Sequence, residues 1–149
     1  MTKVLGVDFG DRRTGIAISD AARVIAFPRQ TLDCPLVEQA AAAVARLAEA
    51  EGVAEIVVGW PLNMDGSRGP RVERTERFCA ELAKRTAIPL QRWDERLSTK
   101  IAESVLIEAG TRRDRRKGVV DKLAAQVILQ GYLDATGGET DLDFQDQAP

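Results

Sequence analysis

The sequence contains no histidine and only two cysteines among its 149 residues. The absence of histidine excludes Ser-His and Cys-His catalytic pairs, and any nucleic-acid cleavage in which an imidazole is the acid or base. Cys34 and Cys79 lie far apart and form no Cys-x-x-Cys pair, so we expect no zinc site and interpret each as a small buried apolar residue. Carboxylates must therefore carry any acid–base or metal chemistry.

No hydrophobic run approaches the roughly 20 residues that a membrane-spanning helix requires, and the first residues resemble a strand rather than a signal peptide. We therefore expect a cytoplasmic protein with no membrane partner. The formal net charge is −2, but four acids without any cation lie in residues 137–149. The rest of the chain has 21 basic and 19 acidic residues. Overall charge therefore does not exclude a nucleic-acid partner.

The hydrophobic pattern changes along the chain from closely spaced strands to alternating strands and helices. The first part predicts an antiparallel meander and one helix, with strands over 3–9, 15–19 and 24–31 and a helix over 36–51. The second part alternates in the way that is typical of parallel pairing, with strands over 55–59 and 89–93 and helices over 70–86, 98–110 and 119–135. We predict one α/β domain over 1–136, a five-stranded mixed sheet flanked by helices, and a disordered acidic tail over 137–149.

Three carboxylates stand at the edges of elements that are otherwise apolar. Asp8 lies late in the first strand, Glu95 follows the fifth strand, and Asp121 opens the last predicted helix. An ionised carboxylate near a core is costly unless it is paired or binds a metal. Mg²⁺ or Mn²⁺ takes such oxygen ligands, and two ions about 4 Å apart can clamp both oxygens of a phosphodiester displacement without a protein nucleophile. The pattern therefore indicates a divalent-metal site.

Each acid also has a purely structural explanation. Asp8 could form a turn, although Asp11 is better placed to do so, and Glu95 or its neighbour Asp94 could pair with a loop arginine. Asp121 could complement the dipole at a helix N-terminus. It shares a helical stripe, however, with three residues that predict an inward-facing position, Ala125, Ile128 and Tyr132.

Basic residues are concentrated just before Asp121. We predict phosphate contacts for the cations of this connector, Arg112, Arg113, Arg115, Arg116 and Lys117, with a solvated loop as the alternative. A second series at positions 68, 71, 74 and 77 is interleaved with glutamates, so we interpret it as a solvated helix face. We interpret Trp60 as a core residue rather than a base-stacking platform.

Four ordered motifs together resemble the YqgF (RuvX) family over nearly the whole chain. They are Gly6-Val-Asp-Phe-Gly10 with Arg13-Thr-Gly-Ile-Ala-Ile-Ser-Asp20, Gly59-Trp-Pro-Leu-Asn-Met-Asp-Gly66, Asp94-Glu-Arg-Leu-Ser-Thr99, and Val120-Asp-Lys-Leu-Ala-Ala-Gln-Val-Ile-Leu-Gln-Gly-Tyr-Leu133. Trp60 departs from the leucine that is usual in the family.

The resemblance implies an RNase H-like fold with strand order 3-2-1-4-5. It also implies a nuclease that uses Mg²⁺ or Mn²⁺, with Asp8, Glu95 and Asp121 as its catalytic and metal-binding residues. Its expected role is maturation of the 5′ end of 16S rRNA, so precursor rRNA is the expected partner. We add Arg13, in the first motif, to the predicted nucleic-acid-binding residues.

Other functions stay open at this point. A Holliday-junction-resolvase-like DNA endonuclease would act on branched DNA and would need a dimer, and a non-catalytic RNA-binding protein could act in ribosome assembly. Asp8-x-Gly10 followed by Thr14-Gly15 also resembles the first phosphate loop of the actin, Hsp70 and sugar-kinase superfamily, which binds ATP between two domains. The sequence does not rank RNA, branched DNA and single-stranded DNA as substrates, nor a monomer against a homodimer.

Overall fold

The computed structural model describes residues 2–62, 65–94 and 113–136, with side chains from Lys122 onward in the last range. The elements are β1 (Val4–Phe9), β2 (Arg13–Ser19), β3 (Ala26–Asp33), α1 (Val37–Glu51), β4 (Glu55–Trp60), α2 (Pro70–Arg85), β5 (Leu90–Asp94) and α3 (Arg113–Thr136). The predicted helix over 98–110 and the tail over 137–149 lie outside the described residues. The helix and the domain boundary at residue 136 therefore stay predictions.

The five strands form one mixed sheet in the order β3-β2-β1-β4-β5. β1 pairs antiparallel with β2, and β2 with β3, whereas β1–β4 and β4–β5 are parallel. This confirms the predicted α/β architecture and its strand order. β1 lies at the centre of the sheet, where helices cover both of its faces.

The two faces of β1 belong to different layers, because successive side chains alternate across a strand. Leu5, Val7 and Phe9 pack with α1 and α2 in one buried cluster. Val4 packs on the other face with α3, in a cluster that includes Ile128 and Leu129. Asp8 has the parity of Val4 and therefore lies on the α3 face of the sheet.

The turn between β2 and β3 is longer than predicted, and β3 begins at Ala26 rather than at residue 24. Asp20 Oδ1 accepts hydrogen bonds from the N–H groups of Val24 (2.8 Å) and Ile25 (3.1 Å), which closes this turn. These hydrogen bonds, first that from Val24, lower the pKa of the Asp20 carboxyl. The turn also places Arg23 in the left-handed region at φ 61°.

Both cysteines are half-buried free thiols that pack against the cluster between the sheet, α1 and α2. Burial raises the pKa of the Cys79 thiol to about 11, so its thiolate is scarce at neutral pH. The interpretation of both residues as packing groups is therefore confirmed, although neither is completely buried.

Helix α3 runs antiparallel to β1 and lies close against it at Gly6. A Cβ added to Gly6 would lie 2.8 Å from Leu129 Cβ and 3.2 Å from the Ala125 carbonyl oxygen. Towards the start of β1, the Tyr132 hydroxyl donates to Glu55 Oε1 at 2.8 Å, and Glu55 pairs with Val4. Later residues of α3 therefore lie over earlier residues of β1.

The predicted start of this last helix at residue 119 is wrong. The helix begins at Arg113, so the predicted basic connector forms its first turns. Asp121 consequently lies about two turns inside α3 and does not open it. Because the helix dipole acts within the first turn, the dipole no longer explains an acid at this position.

We expect Gly6→Ala to destabilise the fold. The new methyl group would meet Leu129 Cβ and the Ala125 backbone, neither of which is the free end of a flexible side chain, so α3 would have to move away from the sheet. The free energy of unfolding should fall by about 1–3 kcal/mol, as for other overpacked core positions. Urea denaturation monitored by circular dichroism measures this.

Gly131→Ala is the matched control. Its Cβ would lie 3.2 Å from Nε1 of Trp93, a side-chain atom that can shift, and alanine in a helix interior gains up to about 1 kcal/mol over glycine. This variant should be as stable as the parent or more so. Wild-type stability of Gly6→Ala would show that α3 does not depend on close approach at this glycine.

Candidate active site

Asp8 lies at the carboxyl end of the central strand. Its neighbours Val7 and Phe9 are 0% and 4% exposed, whereas Asp8 itself is half-buried. Val7 and Phe9 are anchored in the core on the face that packs against α1 and α2. The carboxylate of Asp8 lies on the other face of the strand. Carboxyl ends of parallel strands are where open α/β sheets bind ligands.

Glycines occupy the positions around Asp8 on its face of the sheet. Gly15 of β2 is its cross-strand partner. Gly59 of β4 is level with it, because the preceding residues Val7 and Val58 are paired. Gly6 and Gly10 lie two residues away along the chain in each direction. The two strand positions level with Asp8, about 4.8 Å away, therefore carry no Cβ.

Gly10 has a local structural role. A Cβ at this position would lie 2.5 Å from the carbonyl oxygen of Arg13, so the β1–β2 turn itself requires a glycine. Our sequence interpretation missed Gly15 and Gly59 as residues of the site. The short β1–β2 connection would have revealed Gly15, since it sets the hairpin register, but the pairing of β1 with β4 is not encoded locally.

The alternation in β5 places Trp93 and Asp94 on opposite faces of the sheet. Trp93 contacts Gly131 on the α3 face, and Asp94, the next residue, is exposed and has the opposite parity. Glu95 lies outside the described residues. Trp93 is level with Gly59 and hence with Asp8.

Residue 121 belongs to α3; the structure describes its backbone but not its side chain. Ala125 and Ile128 of its helical stripe are both 0% exposed and Tyr132 is half-buried, so the predicted inward stripe is confirmed for these three residues. Residues 113 and 115–117 form the first turns of α3, with side chains that are not described, and Arg112 lies outside the described ranges.

Arg13 starts β2 and is half-buried. It lies on the same face of β2 as residues 15 and 17, and Ala17 packs in the cluster that contains α3. Arg13 therefore lies on the same face as Asp8, across the β1–β2 turn.

The arginines of the α2 region form ion pairs at the surface. Arg68 pairs with Glu76 at 2.7 Å and Arg77 with Glu38 at 3.8 Å, and all four side chains are at least 40% exposed. For these two arginines the predicted solvated face is confirmed. Arg74 does not fit that prediction, because its side chain is only 29% exposed.

Trp60 is 7% exposed and belongs to the core, which confirms its interpretation as a packing residue. The Arg92 guanidinium lies 4.2 Å from the centre of its ring, a cation–π contact. Base stacking on this ring is therefore not available in this arrangement.

The described ranges contain no group of three or more acidic, cysteine or histidine side chains that could together hold a metal ion. Of the predicted ligands, only the side chain of Asp8 falls within those ranges. Within the same ranges, no helix combines the length and apolar character that crossing a membrane requires.

A family model described as "RuvX: Holliday junction resolvase" matches residues 2–135. The chain belongs to the RuvX family. A protein of Halothermothrix orenii is 48% identical over 131 residues, which are 88% of this chain and 94% of that protein. A protein of Symbiobacterium thermophilum is 45% identical over 133 residues, 89% of this chain and 92% of that protein. Both carry the name "Putative pre-16S rRNA nuclease".

Solved structures with the same fold include two enzymes that act on branched DNA, according to their descriptions. Thermus thermophilus RuvC in complex with a Holliday junction substrate has a TM-score of 0.58 at 14% identity, over 93% of this chain and 97% of RuvC. A Fowlpox virus resolvase bound to Holliday junction DNA has a TM-score of 0.56 at 13% identity, over 89% and 97% of the two chains. At these identities, the likeness supports the RNase H-like fold alone.

Proposed function

We propose that this protein is a divalent-metal-dependent nuclease that hydrolyses phosphodiester bonds in precursor 16S rRNA. Asp8, Glu95 and Asp121 would be its catalytic, metal-binding residues. Family membership and the names of the relatives support the nuclease activity and the rRNA substrate. The placement of the acids on the fold supports the assignment of these three residues.

The observation that carries the proposal is the register of α3 on β1. Ala125 and Leu129 lie over Gly6, and the two elements are antiparallel. Asp8 is two residues further along the strand, about 6.6 Å. Position 121 is four residues before Ala125 and eight before Leu129, about 6–12 Å along the helix. The two steps have the same direction, which supports a position of residue 121 near the strand end where Asp8 lies.

The third acid, Glu95, is proposed from its place in the sequence directly after β5. Trp93 of β5 is level with Gly59 of the adjacent strand, so β5 ends at the same edge of the sheet as β1. Asp94 lies on the face opposite to Trp93, which makes it the weaker candidate for a ligand. β1, α3 and the segment after β5 would then each contribute one acid.

The residues present fit a hard divalent cation. Carboxylate oxygens are the donors that Mg²⁺ and Mn²⁺ accept, and the chain has no histidine that would favour zinc instead. Gly15 and Gly59 flank Asp8 without side chains, so a ligand and the phosphate it binds can approach the sheet closely. When bound, the metal would supply Lewis-acid stabilisation of charge on the phosphate and on the oxygens entering and leaving it.

The chain's own residues orient the reacting groups. Val7 and Phe9, buried on either side of Asp8, hold its carboxylate rigidly at the strand end. Arg13, on the same face, and the cations in the first turns of α3 would contact phosphates of the nucleic acid. Those cations precede position 121 by one to two turns, so one helix would align the substrate and contribute an acid.

A second candidate is cleavage of branched DNA, which the description of the family model favours. The phosphate-loop alternative is weakened by Thr14, which is 0% exposed and pairs with Phe9 on the α1 and α2 side of the sheet. A threonine of an ATP site would instead be accessible to phosphate. Non-catalytic RNA binding would leave all cleavage assays negative.

We expect Asp8→Asn, Glu95→Gln and Asp121→Asn each to reduce cleavage at least about a hundredfold, because each removes a charge that stabilises the transition state through the metal. Nucleic-acid affinity should change far less. The assay compares a precursor-16S 5′-junction RNA with four-way-junction DNA and single-stranded DNA, with Mg²⁺ or Mn²⁺ and with EDTA.

The matched control for these variants is Glu38→Gln. Glu38 is an exposed acid of α1 whose carboxylate lies 3.8 Å from Arg77, on the side of the sheet opposite to the proposed site, and its variant should cleave within about twofold of the wild type. Wild-type turnover of Asp121→Asn would remove that residue from the site. Faster cleavage of the four-way junction than of the RNA would favour the second candidate.

Gly15→Ala and Gly59→Ala should weaken Mn²⁺ binding and lower the cleavage rate, each by about tenfold or more, because a methyl group would stand beside Asp8. Alanine costs a strand less backbone entropy than glycine, by about 0.5–1 kcal/mol, so stability need not fall with activity. Titration calorimetry with Mn²⁺ alone and thermal unfolding separate the two effects. Gly131→Ala serves as the glycine control. Unchanged Mn²⁺ affinity in both Gly15→Ala and Gly59→Ala would contradict the role proposed for these two glycines.

Replacing Arg112, Arg113, Arg115 and Arg116 by alanine should weaken binding to all nucleic acids and flatten the dependence of log affinity on log salt concentration. Each lost phosphate contact contributes about 0.7–0.9 to this slope through counterion release. Alanine is the best helix former, so the first turns of α3 should persist. Arg68→Ala with Arg77→Ala, two glutamate-paired cations, is the control. An unchanged slope would make the α3 cations ordinary solvated residues.

A further inference from the structure

Arg74 makes contacts that set it apart from the other arginines of the α2 region. One terminal nitrogen of its guanidinium donates to two carbonyl oxygens, of Asp11 and of Pro35, each at 2.9 Å. Asp11 belongs to the β1–β2 turn, and Pro35 precedes α1. A single side chain of α2 therefore ties together two segments that are distant in sequence.

The same side chain also covers the end of β1. The Arg74 guanidinium carbon lies 5.4 Å from the centre of the Phe9 ring. Phe78, one turn later in α2, stacks on that ring with centroids 4.4 Å apart and planes 14° apart. Phe9 directly follows Asp8, so α2 holds the residue next to the proposed ligand by a stacked ring and a cation.

The end of β1 needs such support because the sheet holds it on only one side. Pairing of β1 with β4 extends to Val7 and Val58, whereas pairing with β2 continues to Phe9 and Thr14. The turn beyond has a further tie, since the N–H of Cys34 donates to the Arg12 carbonyl at 3.0 Å. Arg74 contributes further ties from the α1 and α2 side of the sheet.

We propose that Arg74 is a positioning residue for the nuclease site: by fixing the β1–β2 turn and Phe9, it sets the geometry of Asp8 and of Arg13 across the turn. The inference rests on the proposed function. Arg74 touches neither substrate nor metal, because it lies on the α1 and α2 side of the sheet and Asp8 faces α3. Displacement of a reacting group by about 1 Å can cost about a hundredfold in rate, so loss of this anchor should appear in catalysis.

The contacts also indicate which chemical property of Arg74 matters. Its Nε lies 3.3 Å from Asp11 Oδ1, but this carboxylate is 81% exposed, and exposed ion pairs contribute little. Both carbonyl contacts come from one terminal nitrogen, which is one bond further from the backbone than a lysine ammonium, and the planar guanidinium also lies over the Phe9 ring. The reach and planar shape of the side chain, rather than its charge, are therefore the expected positioning elements.

The test compares Arg74→Met, Arg74→Lys and Asp11→Asn with Arg77→Met. Methionine keeps an apolar chain over Phe9 and removes the donors, and Arg77→Met removes an equal charge from the same helix at a residue 63% exposed. Arg74→Met should weaken binding of Mn²⁺ alone by about threefold or more and lower kcat by about tenfold or more, with KM changed less than twofold. Arg74→Lys should have a Mn²⁺ affinity and a kcat between those of Arg74→Met and the wild type. Asp11→Asn and Arg77→Met should resemble the wild type in both.

Measurements are made well below each variant's midpoint of thermal unfolding, so that a loss of stability alone does not alter Mn²⁺ affinity. Equal Mn²⁺ affinity and kcat in Arg74→Met and Arg77→Met would overturn the inference, as would full activity of Arg74→Lys if the methionine variant does not fold. Asp8→Asn is measured in parallel. If Asp8→Asn is inactive while Arg74→Met is unaffected, only the positioning role fails; if Asp8→Asn remains active, the proposed function itself fails.

Discussion

The close contact between α3 and Gly6 is the constraint on which the proposed site depends. Because glycine leaves no side chain at this point, Leu129 and Ala125 approach the central strand directly, and the helix cannot slide along it without a clash. This contact fixes the register of α3 relative to β1, although the two elements are distant in sequence. In the proposed site, the approach of Asp121 to Asp8 would follow from this core packing and would need no direct attraction between the two acids.

The opposite layer stabilises the same strand end by different interactions. Phe9 is enclosed by Phe78 and Arg74 of α2, whereas the face of Asp8 is bordered by glycines. Large side chains thus enclose Phe9, whereas the strand positions level with Asp8 carry no side chain. This rigid support suits a proposed site that must bind ions and a charged polymer without moving its own carboxylate.

Much of this arrangement could be predicted from sequence. Apolar periodicity located the strands and the first two helices to within about two residues, and Asp8 was recognised because a charge interrupts an apolar strand. The start of α3 was missed because an arginine-rich segment ending at Gly118 lacks apolar periodicity, although arginine itself favours helix. The roles proposed for Gly59 and Arg74 depend on neighbours that are distant in sequence, so no local pattern could assign them.

The alternation along β1 has a consequence for folding as well as for chemistry. A slip of one residue in the pairing of this strand would exchange its faces. Asp8 would then enter the layer that contains Phe78, while Val7 and Phe9 would leave the core. Burying an unpaired carboxylate costs several kcal/mol, so the charge penalises the shifted alignment far more than a neutral residue would. The residue proposed for catalysis therefore also selects the correct alignment of the central strand, even in a molecule that has not yet bound a metal.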